Sequence, residues 1–326
     1  MNLSYTDEQN LLRDSVSKFC GSDYDFETRM KSVNSDSGHN PEHWKLFAEL
    51  GWLAIPFSED LGGLDGGDVD LSLMFEEFGK SIVVEPYLAN VVLSGGVLKR
   101  SDLENKADLI EHLITGENQI SLANYEPQKG FNLDNIDCEI SEDGSVNGLK
   151  TTVLNAPNAD FFLVFGKHQA GYAFALISKD AAGSKVTSYK TYDGFVSGDL
   201  HLENCKADAV FSKSDALEIL HQAILEGIIC VSSEAIGAME TCYKLTIEYT
   251  QQREQFGQSL SKFQALQHRM VDMFMETEFS KSFLLKVLAT DDKNERAKLI
   301  YGLKNQVAKA GKYVGEEAVQ LHGGMG

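Results

Sequence analysis

The stretch Arg253-Glu254-Gln255-Phe256-Gly257 joins two helical patterns and organises the C-terminal third of the chain. Upstream of it, apolar residues recur at helical spacing along one face. They are Leu217, Leu220, Ile224, Ile228, Val231, Ala235, Ala238, Cys242, Leu245 and Tyr249. Gly257 is predicted to stop this helix, and a second amphipathic helix is predicted to open near Ser261.

An arginine and an aromatic ring on the last turn of a helix can act together on a ligand. The Arg253 guanidinium is a forked donor to anions, and the Phe256 ring offers a flat stacking surface. The two together suit the pyrophosphate and the ring system of a nucleotide. The same pattern also fits a plain helix end, because arginine is favoured at helix C-termini and phenylalanine is usually buried.

The composition bounds the class of protein. With 326 residues the chain is long enough for two or three domains and a sizeable core. Its net charge of −20 disfavours nucleic acid and an anionic membrane as partners. The five cysteines show no C-x-x-C spacing, and the N-terminus lacks the features of a secretory signal. We therefore expect reduced thiols, no metal site and a cytoplasmic protein.

The sequence pattern changes twice along the chain, which predicts three domains. Residues 1–118 read as mostly helical. Residues 119–211 carry short apolar runs separated by Gly, Asn and Asp turns, a pattern typical of a β-barrel or sandwich. Residues 212–326 return to helical periodicity. The predicted fold class is α+β, with an N-terminal helical domain, a central β-domain and a C-terminal four-helix-type bundle.

Local signals place several elements. Thr6 and Gln9 form a capping box that starts the first helix. Glu142-Asp143-Gly144 predicts a hairpin turn between two strands. The C-terminal helices are expected over 215–252, from Ser261 to about Thr290, and over 294–321.

Two motifs give the chain a resemblance to a known family. The R-x-x-F-G sequence at Arg253, with Tyr249 four residues before it, resembles a signature of the acyl-CoA dehydrogenase family. The C-terminal Gln320-Leu321-His322-Gly323-Gly324 resembles that family's second motif. Further stretches extend the resemblance over nearly the whole chain. It implies the fold of that family and an FAD cofactor bound across a subunit boundary.

The resemblance also implies which residues contact the FAD of a neighbouring subunit. Arg253 would pair with the pyrophosphate, while Phe256 and Leu260 would pack on the cofactor. Gln320 and the two glycines after His322 would close its adenine end. The full set implied for cofactor binding is Arg253, Gln255, Phe256, Leu260, Phe263, Leu266, Gln320, Gly323 and Gly324.

The chain departs from the family in the predicted β-domain. The family's T-E-P-x-x-G-S-D loop, which faces the flavin, is similar to residues 124–132, where Glu126 and Gly130 remain but the Ser and Asp are lost. Thr152 and Leu154 stand where members commonly place an aromatic ring and a threonine hydroxyl. These changes weaken the expectation that this domain binds the flavin ring.

The family's reaction is α,β-dehydrogenation of an acyl-CoA thioester, in which a carboxylate removes the α-proton and the β-hydrogen leaves as hydride to flavin. In most members the resemblance places that glutamate well beyond the Gly-Gly turn. In a minority it lies 26 residues before the motif arginine, a position that is Gly227 here. Glu226 is one residue away, turned by about 100° on a helix. It is a candidate base, with a solvated or structural carboxylate as the alternative.

Two explanations of the missing base stay open. The natural protein continues past Gly326 and is a homotetramer, or this chain is the non-catalytic subunit of a heteromer whose partner supplies the catalytic Glu. The second resembles the small subunits of pimeloyl-CoA or steroid side-chain dehydrogenases. Either way the resemblance implies an acyl-CoA substrate, fatty acid or steroid side-chain β-oxidation, and an acceptor of the electron-transfer flavoprotein type. A purely structural subunit without FAD contact, and another flavin chemistry such as oxidation by oxygen or hydroxylation, are further alternatives.

Overall fold

A computed structural model describes residues 5–169 and 171–325. The helices in these residues are α1 (Asp7–Ser22), α2 (Phe26–Asn34), α3 (Pro41–Glu49), α4 (Asp68–Ser81), α5 (Gly95–Arg100), α6 (Lys106–Ile114), α7 (Ala216–Gln252), α8 (Gln264–Leu288) and α9 (Lys293–His322). A π-helical turn, Leu88–Ser94, leads directly into α5. The strands are β1 (Ile120–Ala123), β2 (Glu139–Ile140), β3 (Ser145–Leu154), β4 (Phe161–His168), β5 (Gly171–Ser178), β6 (Ser184–Lys190), β7 (Val196–Lys206), β8 (Ala209–Phe211), β9 (Glu254–Gln255) and β10 (Gln258–Ser259).

The chain divides into two units. The first contains Met1–Phe26, Asp68–Val83 and Ile228–Gly326, and is helical apart from the short β9–β10 pair. The second contains Glu27–Gly67 and Val84–Gly227, and holds the large sheet. The three-domain division with boundaries at residues 118/119 and 211/212 stays a prediction.

Two helices of the first unit, α1 and α9, begin at side-chain caps. Thr6 and Gln9 make the predicted capping box, with each side chain accepting the other's backbone N–H at 3.2 Å and 3.1 Å. The Asp292 side chain caps α9 by accepting the Glu295 N–H at 2.8 Å. The buried faces of α8 and α9 recur every three or four residues, as expected for helices that pack on one another. Those residues are Met270, Met273, Thr277, Ser280, Leu284, Val287, Ile300, Leu303, Val307, Ala310, Val314 and Leu321.

Helices α4 and α7 approach each other at two glycines. A Cβ at Gly79 would stand 1.9 Å from the Glu234 carbonyl oxygen, and one at Gly237 would stand 1.9 Å from the Glu76 carbonyl oxygen. Only glycine allows backbones to pack this closely. Helix α7 is long and apolar enough to cross a membrane by composition, but 56% of its most apolar window is buried in the protein, as in the core helix of a bundle.

The second unit is built on one mixed eight-stranded sheet in the order β6-β7-β3-β2-β4-β5-β8, with β1 added alongside β4. The pairs β1–β4 and β2–β4 are parallel and the other pairs are antiparallel. A buried apolar cluster that includes Phe162, Val164 and Leu200 covers the sheet. The hairpin predicted at Glu142-Asp143-Gly144 is confirmed, since β2 and β3 pair antiparallel across it.

The predicted α+β class is confirmed, and α7, α8 and α9 lie within three residues of the ranges predicted for the C-terminal helices. One local prediction was wrong. Gly257 does not stop α7, which ends five residues earlier, at Gln252, in agreement with the expected range of 215–252.

Candidate functional site

The corner after α7 is a tight β-hairpin. The Arg253 N–H still donates to the Tyr249 carbonyl at 2.8 Å, which closes the last turn of α7. Strands β9 and β10 then pair, and between them Phe256 and Gly257 have φ of 56° and 80°. Two consecutive residues with positive φ define the type I′ turn favoured in two-residue hairpins. Gly257 is therefore a turn residue of the hairpin and not the helix cap that its position suggested.

The hairpin presents the two predicted ligand groups outward. The Arg253 side chain is exposed, and among the residues that the structure describes it has no hydrogen-bond or ion-pair partner. The Phe256 ring is 91% exposed and meets Phe263 edge-on, with centroids 6.2 Å apart at 88°. A free guanidinium beside an open aromatic face is suited to an anion attached to a ring system.

Helix α8 starts at the same corner. Residues Leu260–Lys262 form a 3-10 turn, and α8 begins at Gln264, three residues later than predicted. The N-cap residue Phe263 has an apolar side chain and cannot bond the free N–H groups of the first turn. That turn also carries no acidic residue. The positive end of the α8 dipole thus remains available to a negative group.

The end of α9 lies against the end of α7. The rings of Tyr249 and His322 stack with centroids 4.4 Å apart at 24°, and the Tyr249 hydroxyl donates to the His322 carbonyl at 3.3 Å. Gln320 is exposed just before this contact. Among the described residues, no heavy atom outside the local backbone and the two chain neighbours lies within 4 Å of where a Cβ would stand at Gly323 or Gly324. The space beside the paired glycines is therefore open.

The structure brings the predicted cofactor residues to one end of the bundle. Six of them belong to the hairpin corner and the start of α8: Arg253, Gln255, Phe256, Leu260, Phe263 and Leu266. The remaining three, Gln320, Gly323 and Gly324, are at the end of α9, which Tyr249 ties to the end of α7. Their roles toward FAD stay predictions. The stacking of Tyr249 on His322 was missed, although both residues lie inside the two motifs.

Glu226 is held by two cations of the second unit. Arg100 donates to its carboxylate through Nη2 at 2.5 Å and Nη1 at 3.1 Å, and Lys99 Nζ donates at 3.2 Å. The Glu226 side chain is 14% exposed. Although burial acts to raise its pKa, the hydrogen bonds and charges of Arg100 and Lys99 hold the pKa below its usual value. These contacts favour the structural interpretation of Glu226, because a paired carboxylate with a low pKa is a poor base.

Gly227, the position where the resemblance placed a base in some members, is buried against the π-helical turn. A Cβ there would stand 2.8 Å from Leu93 Cδ2 and 3.8 Å from Leu88 Cδ1. A longer side chain would therefore be directed into apolar neighbours. The surroundings of Gly227 contain leucine methyls where a catalytic carboxylate would need polar groups and substrate.

The loop at residues 124–138 is anchored from within the second unit. The buried Glu126 carboxylate accepts the Asp137 and Cys138 N–H groups at 2.5 Å and 3.0 Å, and Lys150 Nζ donates to it at 2.6 Å. Neither Lys150 nor Glu126 has more than 4% of its side chain exposed. Retention of Glu126 in this otherwise altered loop therefore has a structural reason, because loss of either partner would leave a buried charge unpaired.

Next to this loop, β3 bulges at Thr151 and Thr152, opposite Asp199 of β7. Asp199 Oδ1 accepts the Thr151 hydroxyl at 2.8 Å and the Tyr189 hydroxyl at 3.0 Å. It also accepts the Thr152 N–H at 3.2 Å, and Thr152 has a φ of 53°. Hydrogen bonds within the protein thus engage polar groups of the strand that faces the flavin in the family the sequence resembles.

Comparisons with known proteins agree with these motifs. The chain matches the model of the acyl-CoA dehydrogenase N-terminal domain over residues 6–117 and that of the acyl-CoA dehydrogenase C-terminal domain over residues 217–326. It is 26% identical to a probable acyl-CoA dehydrogenase, YngJ of Bacillus subtilis, with 100% of this chain and 90% of that protein covered.

Two solved structures show the same fold. The ChsE4–ChsE5 complex from Mycobacterium tuberculosis superposes with a TM-score of 0.89 at 23% identity, covering 99% of this chain and 88% of that chain. The FAD complex of PigA superposes with a TM-score of 0.90 at 23% identity, covering 99% and 89%. With two family models that together account for most of its length, the chain belongs to the acyl-CoA dehydrogenase family.

Proposed function

We propose that this chain is a subunit of an FAD-dependent acyl-CoA dehydrogenase, and that it binds the dinucleotide part of FAD while a partner chain supplies the catalytic carboxylate. The observation that carries the proposal is the Arg253 guanidinium, which has no partner among the described residues and lies at a corner that also presents the exposed Phe256 ring. In a chain with a net charge of −20, a cation without a carboxylate partner points to an anionic ligand.

The residues at this end of the bundle fit the cofactor of the family. Arg253 and the free N–H groups at the start of α8 would hold the pyrophosphate, and Phe256 would pack on the dinucleotide. The open backbone at Gly323 and Gly324 would accept its adenine end closely. Bound FAD would supply the acceptor for the hydride that leaves the β-carbon of the substrate.

The assignment of the base to a partner rests on two neighbouring positions of α7. Glu226 is engaged by Arg100 and Lys99, and Gly227 is enclosed by leucine side chains. Neither position offers a free carboxylate to an α-proton. The similarity in fold to a two-component complex, ChsE4–ChsE5, supports a heteromer for this chain as well.

The remaining members of the reaction follow from this role. The substrate would be an acyl-CoA, the assembly would be a tetramer with a catalytic acyl-CoA dehydrogenase subunit, and an acceptor of the electron-transferring flavoprotein type would reoxidise the flavin. A solved structure of similar fold, described as an electron transferring flavoprotein of Acidaminococcus fermentans, is consistent with such an acceptor. We also propose a cytoplasmic location.

The test is the flavin content of the purified assembly with Arg253→Ala. Removal of a charge-assisted contact should weaken FAD binding about 10- to 100-fold, so that flavin is lost during purification. Lys312→Ala is the matched control, since Lys312 is an exposed cation on α9 and its loss changes the net charge by the same amount. Equal flavin content in the wild type and both variants would refute the role of Arg253.

Flavin absorbance of the chain purified alone, and co-expressed with its catalytic partner, separates the alternatives. Flavin that appears only with the partner, and is lost with Arg253→Ala, supports the proposal. Flavin and dehydrogenase activity in the chain alone would show that it carries its own base. If Arg253→Ala leaves the flavin content of the complex unchanged, the chain is a purely structural subunit.

A further inference from the structure

The stacked pair Tyr249 and His322 connects the two segments that the proposed function assigns to FAD. Tyr249 lies one turn before Arg253, and its carbonyl accepts the Arg253 N–H at 2.8 Å. His322 is followed directly by Gly323. The aromatic contact therefore stands one hydrogen bond from the arginine and one peptide bond from the paired glycines.

Each ring of the pair is itself fixed. His322 Nδ1 is 2.8 Å from the Ala318 carbonyl, one turn back on α9, so that Nδ1 carries the proton and donates. The Tyr249 hydroxyl donates to the His322 carbonyl, one of the terminal carbonyls that α9 cannot satisfy within itself. Stacking at 4.4 Å then fixes the distance between the ends of α7 and α9.

We infer that Tyr249 and His322 are positioning residues, which hold Arg253 and the Gly323–Gly324 bend at the spacing of a single dinucleotide. This inference rests on the proposed function. A ligand that is gripped at two separated points binds tightly only when the two points are already at the right distance, because otherwise binding must pay for ordering them. Neither ring needs to touch the cofactor for the pair to set its affinity.

The chain offers a matched control for this contact. Tyr243 lies six residues earlier on the same helix and meets Phe274 of α8 edge-on, with centroids 5.7 Å apart at 86°. It is also more buried than Tyr249. Tyr243→Leu thus removes an aromatic contact of α7 that is outside both motifs, while Tyr249→Leu removes the one that joins them.

The first experiment needs neither cofactor nor partner. Hydrogen–deuterium exchange of the full chain is compared for wild type, Tyr249→Leu, Tyr249→Phe and Tyr243→Leu. In Tyr249→Leu we expect the amides of both segments, residues 253–260 and 320–325, to exchange about tenfold faster, with little change elsewhere. Tyr249→Phe should keep most of the protection, since it retains the stack. Equal acceleration of these two segments by Tyr243→Leu would show that the pair is merely structural.

The second experiment titrates the flavin-free assembly with FAD and follows flavin fluorescence. Tyr249→Leu should weaken FAD binding about tenfold, His322→Phe and Tyr249→Phe less than about threefold, and Tyr243→Leu not measurably. If Arg253→Ala weakens binding while Tyr249→Leu does not, the positioning role is wrong and the proposed function stands. If neither variant affects FAD, the proposed function itself fails.

Discussion

Glu226 on α7 and Arg253 just beyond its end are two charged groups with opposite surroundings. Glu226, in the second unit, is engaged by Arg100 and Lys99, whereas Arg253, just past the end of the helix in the first unit, is exposed and unpaired among the described residues. A charge whose partners come from its own chain contributes to folding. A charge left without partners at an ordered corner is available to a ligand. The difference assigns Glu226 to the structure and Arg253 to the candidate site.

The largest effect is expected from a new carboxylate at position 227, next to Glu226. Gly227→Glu would place a buried charge against Leu88 and Leu93, which should lower the free energy of unfolding by about 4 kcal/mol. Urea denaturation measures it. Gly311→Glu is the control, because Gly311 on α9 has open space around its Cβ position and the change there should be within about 0.5 kcal/mol. A stable Gly227→Glu variant with gained dehydrogenase activity would instead reveal an acyl pocket at this position.

The second largest effect on stability is expected from removal of the Glu226 charge. Glu226→Gln leaves Arg100 and Lys99 without their counter-charge in a half-buried place, at a cost of about 3 kcal/mol in unfolding free energy. Glu218→Gln, at an exposed carboxylate in the first turn of α7, serves as the control in the same denaturation series. A loss of activity by Glu226→Gln in the assembly, with stability unchanged, would restore Glu226 as the base.

The pairing of Glu226 with Arg100 and Lys99 predicts that the stability of the fold depends on pH. Because the pKa of Glu226 in the folded protein lies below its usual value of 4.5, the pair stabilises the fold fully above about pH 4.5. That contribution is lost as the pH falls through the lower folded pKa. The difference in unfolding free energy between the wild type and Glu226→Gln should therefore shrink as the pH is lowered. This change with pH should be smaller than the difference between the two proteins at neutral pH. If the unfolding free energies of the two proteins change in parallel with pH, Glu226 is not a carboxylate paired with Arg100 and Lys99.

The smallest effect is expected from removal of the Arg253 side chain, the group compared with Glu226. Arg253→Ala should change the unfolding free energy of the flavin-free chain by less than about 0.5 kcal/mol, because no described residue bonds the guanidinium. Thermal unfolding without FAD measures it directly. A loss of more than 1 kcal/mol would mean that Arg253, like Glu226, stabilises the fold, and would blur the distinction between them.

The periodicity of α7 and the cap of α1 were readable from the sequence because both are local signals. The hairpin after Arg253 was not, since a glycine following a long helix looks the same as a helix cap until the φ of Phe256 is known. The pairing of Glu226 with Arg100 joins residues more than a hundred positions apart, and no local pattern encodes it. The residues proposed to bind the cofactor could be named only through the family motifs, whereas spacing alone left them indistinguishable from a plain helix end.

The left-handed conformation of Phe256 has a consequence for how this corner changes over time. A bulky L-residue with positive φ is strained by about 1 kcal/mol relative to glycine, and here the same residue is 91% exposed to water. Selection for a sturdier fold alone would replace Phe256 with glycine or asparagine. If Phe256 packs on FAD as proposed, selection for retention of the cofactor would oppose that replacement, and variation at this position would report which of the two pressures prevails in a given lineage.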